Sequence, residues 1–207
     1  MTIRRFSEWG KLIVRPNDVQ LCNSDAQVAK IATHYRLRGA PIPHIHVTAG
    51  SLATSLGESL PLSGATVREL PIDLLNISYR TSTGLQRTAI AANSVVMRRR
   101  LWTDQIVAIT NSGFWKSWEI APRAHPNDGV FDVVEVNATM TWRHRLVARY
   151  RLPHGRHMPH SSIGVRQCGS ETWKFDKPIG LYIDDEFYGL VTDVEITIEA
   201  DALNLVI

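Results

Sequence analysis

Hydrophobic and polar positions divide this chain into a short first part with one helix and a long strand-rich remainder. Residues 19–22 form a short apolar run, and Ser24 and Gln27 after it have the spacing of a capping box. Gly39 stands where the helix should stop. The predicted helix carries an apolar stripe at helical spacing, formed by Val28, Ile31, Ala32 and Tyr35. This part should therefore fold as strand, short loop and helix.

From residue 60 onward the pattern is typical of strands. Apolar runs rich in β-branched residues predict strands at 67–72, 74–79, 85–92, 106–111, 115–120, 130–136, 181–183, 188–191, 194–198 and 203–207. Residues 140–150 have a helical pattern instead. We expect an α/β domain at residues 1–60 and a β-sandwich-like domain at residues 61–207, with the final strand able to return to the first domain.

Composition narrows the function classes. A chain of 207 residues, 44% of them hydrophobic, can bury a core. The excess of 23 Lys and Arg over 20 Asp and Glu is too small to indicate nucleic-acid binding. Cys22 and Cys168 have no spacing that suggests a disulfide framework or a zinc site. With no apolar run near the roughly 18 residues of a membrane span, we expect a cytoplasmic protein.

The clearest sequence motif is a turn followed by a strand. Asn127, Asp128 and Gly129 favour a tight bend after Pro126. Taken alone, these residues indicate an ordinary hairpin turn. The fourteen residues 121–134, Ala-Pro-x-Ala-x-Pro-Asn-Asp-Gly-x-Phe-Asp-Val-Val, resemble the signature of the diacylglycerol kinase-like lipid kinases. In that family the motif belongs to the β-rich second domain, which holds the lipid site.

The resemblance implies a nucleotide site in the first part of the chain. Residues 23–27 take the place of the family's Gly-Gly-Asp-Gly-Thr loop, with Asp25 matching, and residues 48–57 are similar to its Pro-x-Gly-Thr-x-Asn-Asp segment through Gly50. ATP would then contact Asp25, Gly50 and Ser51. The missing glycines and the missing Asn-Asp pair indicate a truncated, degenerate nucleotide-binding domain that binds ATP weakly. Its open edge favours a homodimer.

The resemblance also implies that a turn with three acidic residues is catalytic. Asp184-Asp185-Glu186 corresponds to the family's Asp-Gly-Glu, so Asp184 would accept the proton of a lipid hydroxyl and Glu186 would support it. Asp185 replaces the family's glycine and could perturb the turn. The alternative is an acidic hairpin that faces solvent. A base in such a turn is expected to add little to stability.

Two further features have a functional and an ordinary interpretation. By resemblance, Asp128 helps to bind a structural Mg²⁺; the alternative is an Asx turn without metal. The arginines between Arg143 and Arg156 are predicted to form a basic rim for an anionic membrane surface, or else a solvated face.

Two functions from different classes remain open. The first is ATP-dependent phosphorylation of a lipid with a free hydroxyl, such as a diacylglycerol or a sphingoid base, with Mg²⁺ as cofactor and Asp184 as base. The second is a non-catalytic relative, a pseudokinase that keeps the lipid cleft and has lost nucleotide binding. Asp184 and Glu186 favour the first, and the degenerate loop at residues 23–27 favours the second.

Overall fold

The computed structural model describes residues 9–57, 64–99, 104–154 and 160–207 of the chain. Its helices are α1 (Asp25–Leu37), α2 (Ser51–Leu56) and α3 (Trp142–Arg151), the last followed by a 3₁₀ turn at Leu152–His154. Its strands are β1 (Lys11–Val14), β2 (Gln20–Cys22), β3 (Ile45–Val47), β4 (Thr66–Thr81), β5 (Gln86–Ala91), β6 (Ser94–Arg98), β7 (Ile106–Thr110), β8 (Phe114–Trp115), β9 (Trp118–Glu119), β10 (Phe131–Val136), β11 (Ile163–Cys168), β12 (Ser170–Ile183) and β13 (Glu186–Val206). The fold is therefore mostly β-sheet with few helices.

Within these residues, one 11-stranded sheet runs through the molecule. Its main path is β1-β4-β13-β12-β6-β7-β10-β11, and β5 joins the edge of β4. The strands on this path pair antiparallel, whereas β2 with β3 and β3 with β13 pair parallel. Strands β8 and β9 form a separate hairpin. The long strands β4 and β13 contribute side chains to two hydrophobic cores.

Strand β4 corrects the prediction of two strands at 67–72 and 74–79. It continues through Pro71, whose carbonyl accepts a hydrogen bond from Trp9 Nε1 (3.1 Å). The register of β13 shifts between Glu199 and Leu203. Asp73 N–H instead donates to Pro126 O (2.8 Å). The bulge of the partner strand lies opposite Asp73, two residues after the proline, and β4 continues through both positions.

Two other predicted strand boundaries are wrong for the same kind of reason. Residues 115–120 form the β8–β9 hairpin rather than one strand, because Lys116 has a left-handed φ of 57° and reverses the chain. The three short strands predicted after residue 187 are parts of the single strand β13. Its irregular hydrophobic pattern comes from register shifts.

Helix α1 confirms the predicted cap. Ser24 Oγ accepts from Gln27 N–H (3.3 Å), and Gln27 Oε1 accepts from Asn23 N–H (2.8 Å). Val28 and Ala32 are fully buried in a core shared with β2, β3, α2, the start of β4 and the end of β13. The predicted domain boundary near residue 60 lies outside the described residues.

The final strand returns to the first part of the chain. Leu205 in β13 pairs in parallel with Ile45 in β3. The larger core lies among β4, β5, β6, β7, β10, β12 and β13, and a third cluster lies under β8, β9 and α3. No helix among the described residues combines the length and the apolar character needed to cross a bilayer.

Candidate functional site

The acid motif at residues 184–186 forms the tight turn between β12 and β13. Ile183 pairs with Glu186, so Asp184 and Asp185 are the two loop residues, with φ of 44° and 69°. Positive φ at both positions is the geometry of the type I′ turn, which suits right-twisted strands and favours glycine at its second position. Asp185 therefore keeps the turn shape that a glycine would give, at the expense of local strain.

The Asp184 carboxylate is buried in a ring of backbone amides. Its Oδ1 accepts from Asn93 N–H (3.0 Å) and Ser94 N–H (2.8 Å), and its Oδ2 accepts from Ala92 N–H (2.7 Å). The residue is only 6% exposed. A carboxylate offers about four acceptor positions, so one remains on Oδ2 for a proton. The sequence-based expectation that this side chain adds little to stability is wrong, because it holds three buried N–H groups.

The three amides come from the bend between β5 and β6, which the sequence analysis did not identify. Asn93 is fully buried and fixes this bend: its Nδ2 donates to Phe114 O (2.8 Å), and its Oδ1 accepts from Ser112 Oγ (2.6 Å) and N–H (3.1 Å). The available signal was the polar Asn93-Ser94 pair interrupting two apolar runs. Such a pair indicates a bend. The contact of this bend with Asp184 could not be predicted, because only the strand topology brings the two segments together.

Asp25 joins the two sequence motifs of the first part of the chain. Its Oδ2 accepts from Ser51 N–H (2.9 Å) and its Oδ1 from Leu52 N–H (3.1 Å). A Cβ on Gly50 would lie 2.6 Å from Asp25 Oδ1, and the φ of Gly50 is 111°. The predicted cofactor-binding residues Asp25, Gly50 and Ser51 thus lie together. The amides of Ser51 and Leu52 already have the Asp25 carboxylate as acceptor.

The electrostatics of Asp25 and Asp184 are linked. Burial raises the pKa of Asp184 to about 7, and the Asp25 charge adds to the rise, against the lowering effect of the three amides. Burial also raises the pKa of Asp25, to which the charge of Asp185 contributes. Two buried carboxyl groups from distant motifs therefore compete for ionisation at one place, as is common in active sites.

The remaining acids of the turn contact cationic and aromatic groups. Asp185 Oδ1 accepts from Trp115 Nε1 (2.9 Å) and lies 3.6 Å from Lys116 Nζ. Lys116 N–H in turn donates to Ser51 Oγ (2.9 Å). Glu186 pairs with Lys30 Nζ of α1 (2.5 Å), which raises the pKa of that lysine. The sequence analysis did not identify these lysines, because both lie outside the motifs.

A cleft of about 530 Å³ lies along α1, and its lining residue Ile90 is two residues before Ala92, whose N–H donates to Asp184. Lys30, which pairs with Glu186, is followed along α1 by cleft residues at positions 33, 36 and 37, about one and two turns further on. The volume of the cleft falls within the range of small-molecule binding sites. The cleft is lined by Thr33, Arg36, Leu37, Asn76, Ile77, Ser78, Thr88, Ala89, Ile90, Glu195 and Thr197.

The central turn at residues 126–129 is held by Asp73. The fully buried Asp73 carboxylate accepts from Gly129 N–H (2.8 Å), Asn127 Nδ2 (3.1 Å) and Asp201 N–H (2.9 Å). Burial raises the pKa of Asp73. Asp128 Oδ1 accepts from Val130 N–H (3.2 Å), which is the Asx contact expected without a metal.

The central turn also offers oxygen atoms to a cation. Burial, with the charges of Asp132 and Asp73, raises the pKa of Asp128 to about 6. In the part of the chain that the structure describes, the buried Oδ1 atoms of Asn111 and Asn127 have no hydrogen-bond donor. Carboxylate and amide oxygens suit Mg²⁺. Across the same residues, however, no group of three or more His, Cys, Asp or Glu side chains could hold a metal. The Mg²⁺ site at Asp128 stays a prediction.

Part of the predicted basic rim lies outside the described residues, namely residues 155–159 with Arg156. The described arginines of the rim, Arg143, Arg145, Arg149 and Arg151, are on α3. They are separate from the acid turn in sequence.

Comparison with known proteins gives a fold and no closer relationship. No protein-family model matches the chain, and no curated protein matches it. Solved structures do match. A candidate diacylglycerol kinase from Bacillus anthracis str. Sterne has a TM-score of 0.61 at 12% identity, covering 91% of this chain and 77% of that one. Another structure of a candidate diacylglycerol kinase from that organism has a TM-score of 0.59 at 11% identity, with the same coverage.

A third structure, of a diacylglycerol kinase from the same organism, has a TM-score of 0.51 at 11% identity and covers 91% of this chain and 75% of that one. All three identities are low, so they carry no residue-level argument. The agreement over nine-tenths of the chain is one of architecture. This chain therefore has the fold of diacylglycerol kinase-like proteins.

Proposed function

We propose that this protein is a lipid kinase of the diacylglycerol kinase type, which transfers a phosphoryl group from ATP to a lipid hydroxyl with Asp184 as general base. The observation that carries the proposal is the buried Asp184 carboxylate, which three consecutive backbone amides hold near Asp25 of a distant motif. A carboxyl group with a pKa of about 7 is half ionised near neutral pH, which suits proton transfer.

The proposed step needs one proton acceptor and a correctly placed hydroxyl. The lipid hydroxyl oxygen forms a bond to the terminal phosphorus of ATP, the bond from that phosphorus to ADP breaks, and the hydroxyl proton passes to Asp184 Oδ2. The three backbone amides fix the carboxylate and leave this oxygen one free acceptor position. The lipid is proposed to bind in the cleft along α1, with Leu37, Ile77 and Ile90 as apolar contacts.

Mg²⁺ would supply charge neutralisation on the phosphates. A Mg²⁺ ion in kinases usually binds one or two carboxylates together with substrate phosphates and water. Asp25 and Asp185 are the carboxylates near the proposed site, and both are committed to protein donors. Mg²⁺ at the nucleotide would therefore be held mainly by the phosphates and water, and Asp128 is the proposed structural Mg²⁺ site.

We also propose that residues 1–60 are a truncated counterpart of the nucleotide-binding domain, with residues 61–207 as the β-sandwich-like lipid domain. The strand, loop and helix at β2 and α1 support this division. ATP would contact the loop with Asp25, Gly50 and Ser51. Its affinity should be weak, because the Ser51 and Leu52 amides are already hydrogen-bonded to Asp25. Homodimer formation through an open edge remains part of the proposal.

The second candidate function is that of a non-catalytic lipid-binding protein. It is favoured by the same hydrogen bonds. The Ser51 and Leu52 N–H groups at the start of α2 and Trp115 Nε1 already donate to carboxylates of this chain. A phosphate group would have to displace those carboxylates. Under this hypothesis the cleft binds a lipid and no phosphoryl transfer follows.

Phosphoryl transfer from labelled Mg-ATP to diacylglycerols, sphingoid bases and phosphatidylglycerol decides between the two candidates. For a kinase, we expect lipid phosphorylation that falls by about 10²–10⁴-fold in Asp184→Asn, with a smaller loss in Glu186→Gln. Asp193, a partly exposed acid of β13 paired with Arg80, gives the matched control Asp193→Asn, which should keep full activity.

Because Asp184 is buried, each variant must first be shown to be folded by its circular dichroism and melting temperature. Wild-type protein that transfers no phosphate to any of these lipids contradicts the kinase proposal. A lipid retained through purification and detected by mass spectrometry would then support the binding protein.

A further inference from the structure

Helix α3 exposes an unusual amount of apolar side chain. Trp142, Leu146, Val147 and Tyr150 are 65%, 55%, 47% and 84% exposed. At about 100° per residue these four positions occupy one arc of roughly 140° on the helix surface. Scattered exposed hydrophobic residues are ordinary, but four large ones on a single arc of a ten-residue helix indicate a contact surface.

The opposite side of α3 fixes the helix to the protein. Ala148 packs against the core cluster under β8 and β9. Arg145 turns toward the same side, where its Nε donates to Met140 O (3.0 Å) and its guanidinium to Asn137 O (2.9 Å). Thr141 caps the first turn through His144 N–H (3.4 Å). The apolar arc therefore faces away from the protein and is not needed to hold the helix in place.

The charges of α3 are all of one sign. Arg143, Arg145, Arg149 and Arg151 are its ionised residues, and its sequence contains no Asp or Glu. Arg143 lies within the apolar arc and stacks over Trp142, with its Cζ 5.5 Å from the ring centroid. Arg149 lies at one border of the arc and Arg151 at the other by helical position. Long basic side chains around an apolar face are typical of helices that lie in a bilayer interface.

Charge decides among the possible partners of this face. In a symmetric dimer through α3, the arginines of one copy would approach those of the other, which is unfavourable. Nucleic acid would satisfy the arginines but would leave the apolar arc in contact with phosphates and water. An anionic bilayer satisfies both, since its headgroups attract the arginines and its acyl boundary accepts the apolar side chains.

We propose that α3 is a membrane-docking helix that lies in the surface of anionic bilayers, with Trp142, Leu146 and Tyr150 inserted and Arg143, Arg149 and Arg151 at the headgroups. This surface consists only of described residues. The proposal does not depend on kinase activity, because a lipid-binding protein without catalysis could use the same surface.

Co-sedimentation with vesicles tests the proposal on the full chain. We expect binding to phosphatidylglycerol–phosphatidylcholine vesicles that weakens as NaCl rises, and much weaker binding to pure phosphatidylcholine. Replacing Trp142, Leu146 and Tyr150 together by Ala should weaken binding by at least about tenfold. Replacing Arg149 and Arg151 by Gln should weaken it by roughly fivefold for each charge.

A matched control removes similar groups from another surface. Leu85 is 57% exposed in the β4–β5 hairpin and Arg87 is exposed on β5. The double variant Leu85→Ala and Arg87→Gln should bind vesicles as wild type does. None of the substituted α3 side chains is buried. Arg149 stacks over the Trp118 ring at 5.7 Å, and the loss of this exposed contact is small, so all variants should keep nearly the wild-type melting temperature.

Depth of insertion separates docking in the bilayer from simple electrostatic attraction. Quenching of tryptophan fluorescence by brominated lipid should be strong in wild type and should fall in Trp142→Phe, which keeps an aromatic ring and most of the affinity. Equal binding to neutral and anionic vesicles would overturn the proposal, as would wild-type binding by the triple Ala variant. Loss of binding that follows a change in oligomeric state on gel filtration would assign the face to self-association and would also overturn it.

Discussion

The two carboxylates Asp73 and Asp184 are held in nearly the same way and differ in what lies beside them. Each is buried, and each accepts three N–H groups. The donors of Asp73 come from the central turn and from the bulge of β13, so it ties distant segments together. The donors of Asp184 are three consecutive amides of one bend, and a second buried acid, Asp25, raises its pKa.

Burial and hydrogen bonding alone therefore do not identify a functional acid. Each carboxylate accepts two N–H groups on Oδ1 and one on Oδ2, so each keeps one acceptor position. Asp73 lies at the centre of the fold, where it organises the turn that carries the sequence signature. Asp184 lies near Asp25 and near the cleft along α1. A nearby like charge and an adjoining cleft are what separate a candidate base from a structural carboxylate.

The largest expected effect on stability is that of replacing Asp73, the structural carboxylate. Asp73→Ala leaves the Gly129 and Asp201 amides and Asn127 Nδ2 without their acceptor in the core, and should lower the free energy of unfolding by about 2–4 kcal/mol. Urea unfolding would measure this, with Asp193→Ala at a partly exposed acid as the control near zero. A loss below about 1 kcal/mol would mean that the central turn does not depend on Asp73.

A smaller effect is expected at the glycine that faces Asp25. Gly50 and Gly57 both have positive φ, 111° and 92°, but only Gly50 has the Asp25 carboxylate against its missing Cβ. Changing either to Ala should cost about 1–2 kcal/mol through backbone strain. Gly50→Ala should cost roughly 1 kcal/mol more through the clash, at the low end of the cost of overpacking. Equal melting temperatures for the two variants would contradict the close contact of Gly50 with Asp25.

The smallest effect on stability is expected at Asp185. Replacement by Gly removes left-handed strain of about 1–2 kcal/mol, which offsets the loss of the hydrogen bond from Trp115 and the exposed pair with Lys116. The melting temperature should change little. Removing this charge should also tighten Mg-ATP binding in a calorimetric titration, with Asp193→Gly as control. Unchanged or weaker ATP affinity would show that Asp185 does not hinder phosphate.

The sequence predicted the parts of this structure that depend on neighbours along the chain. Residues 24–39 carry their own cap, apolar stripe and stop, so α1 was found with its correct start. The turn at residues 126–129 was found for the same reason. Breaks were misplaced in β4 and β13, because Pro71 and the register shifts of β13 interrupt the pattern without ending the strands.

The candidate site was predictable only in the residues that a motif contains. Asp25, Gly50, Ser51, Asp184 and Glu186 were named from the resemblance, and the structure brings the first four into one neighbourhood. The Ala92–Ser94 amides, Trp115 and Lys116 were missed, since strand topology alone brings them to the turn. The arginines of α3 were predicted as a basic rim for an anionic membrane, but the exposure of the whole apolar arc was not predicted, because an amphipathic stripe is normally a buried face.

The pH dependence of lipid phosphorylation tests the central claim about Asp184 most directly. A base must be ionised to accept a proton, so the transfer rate should rise with pH through a midpoint near the Asp184 pKa of about 7 and level off above it. Asp25→Asn, checked for folding by its melting temperature, should move the midpoint to lower pH, because it removes a charge that raises this pKa. A rate that is independent of pH between roughly 5.5 and 8.5, about 1.5 units on either side of that midpoint, or an Asp184→Asn protein as active as wild type, would contradict the account.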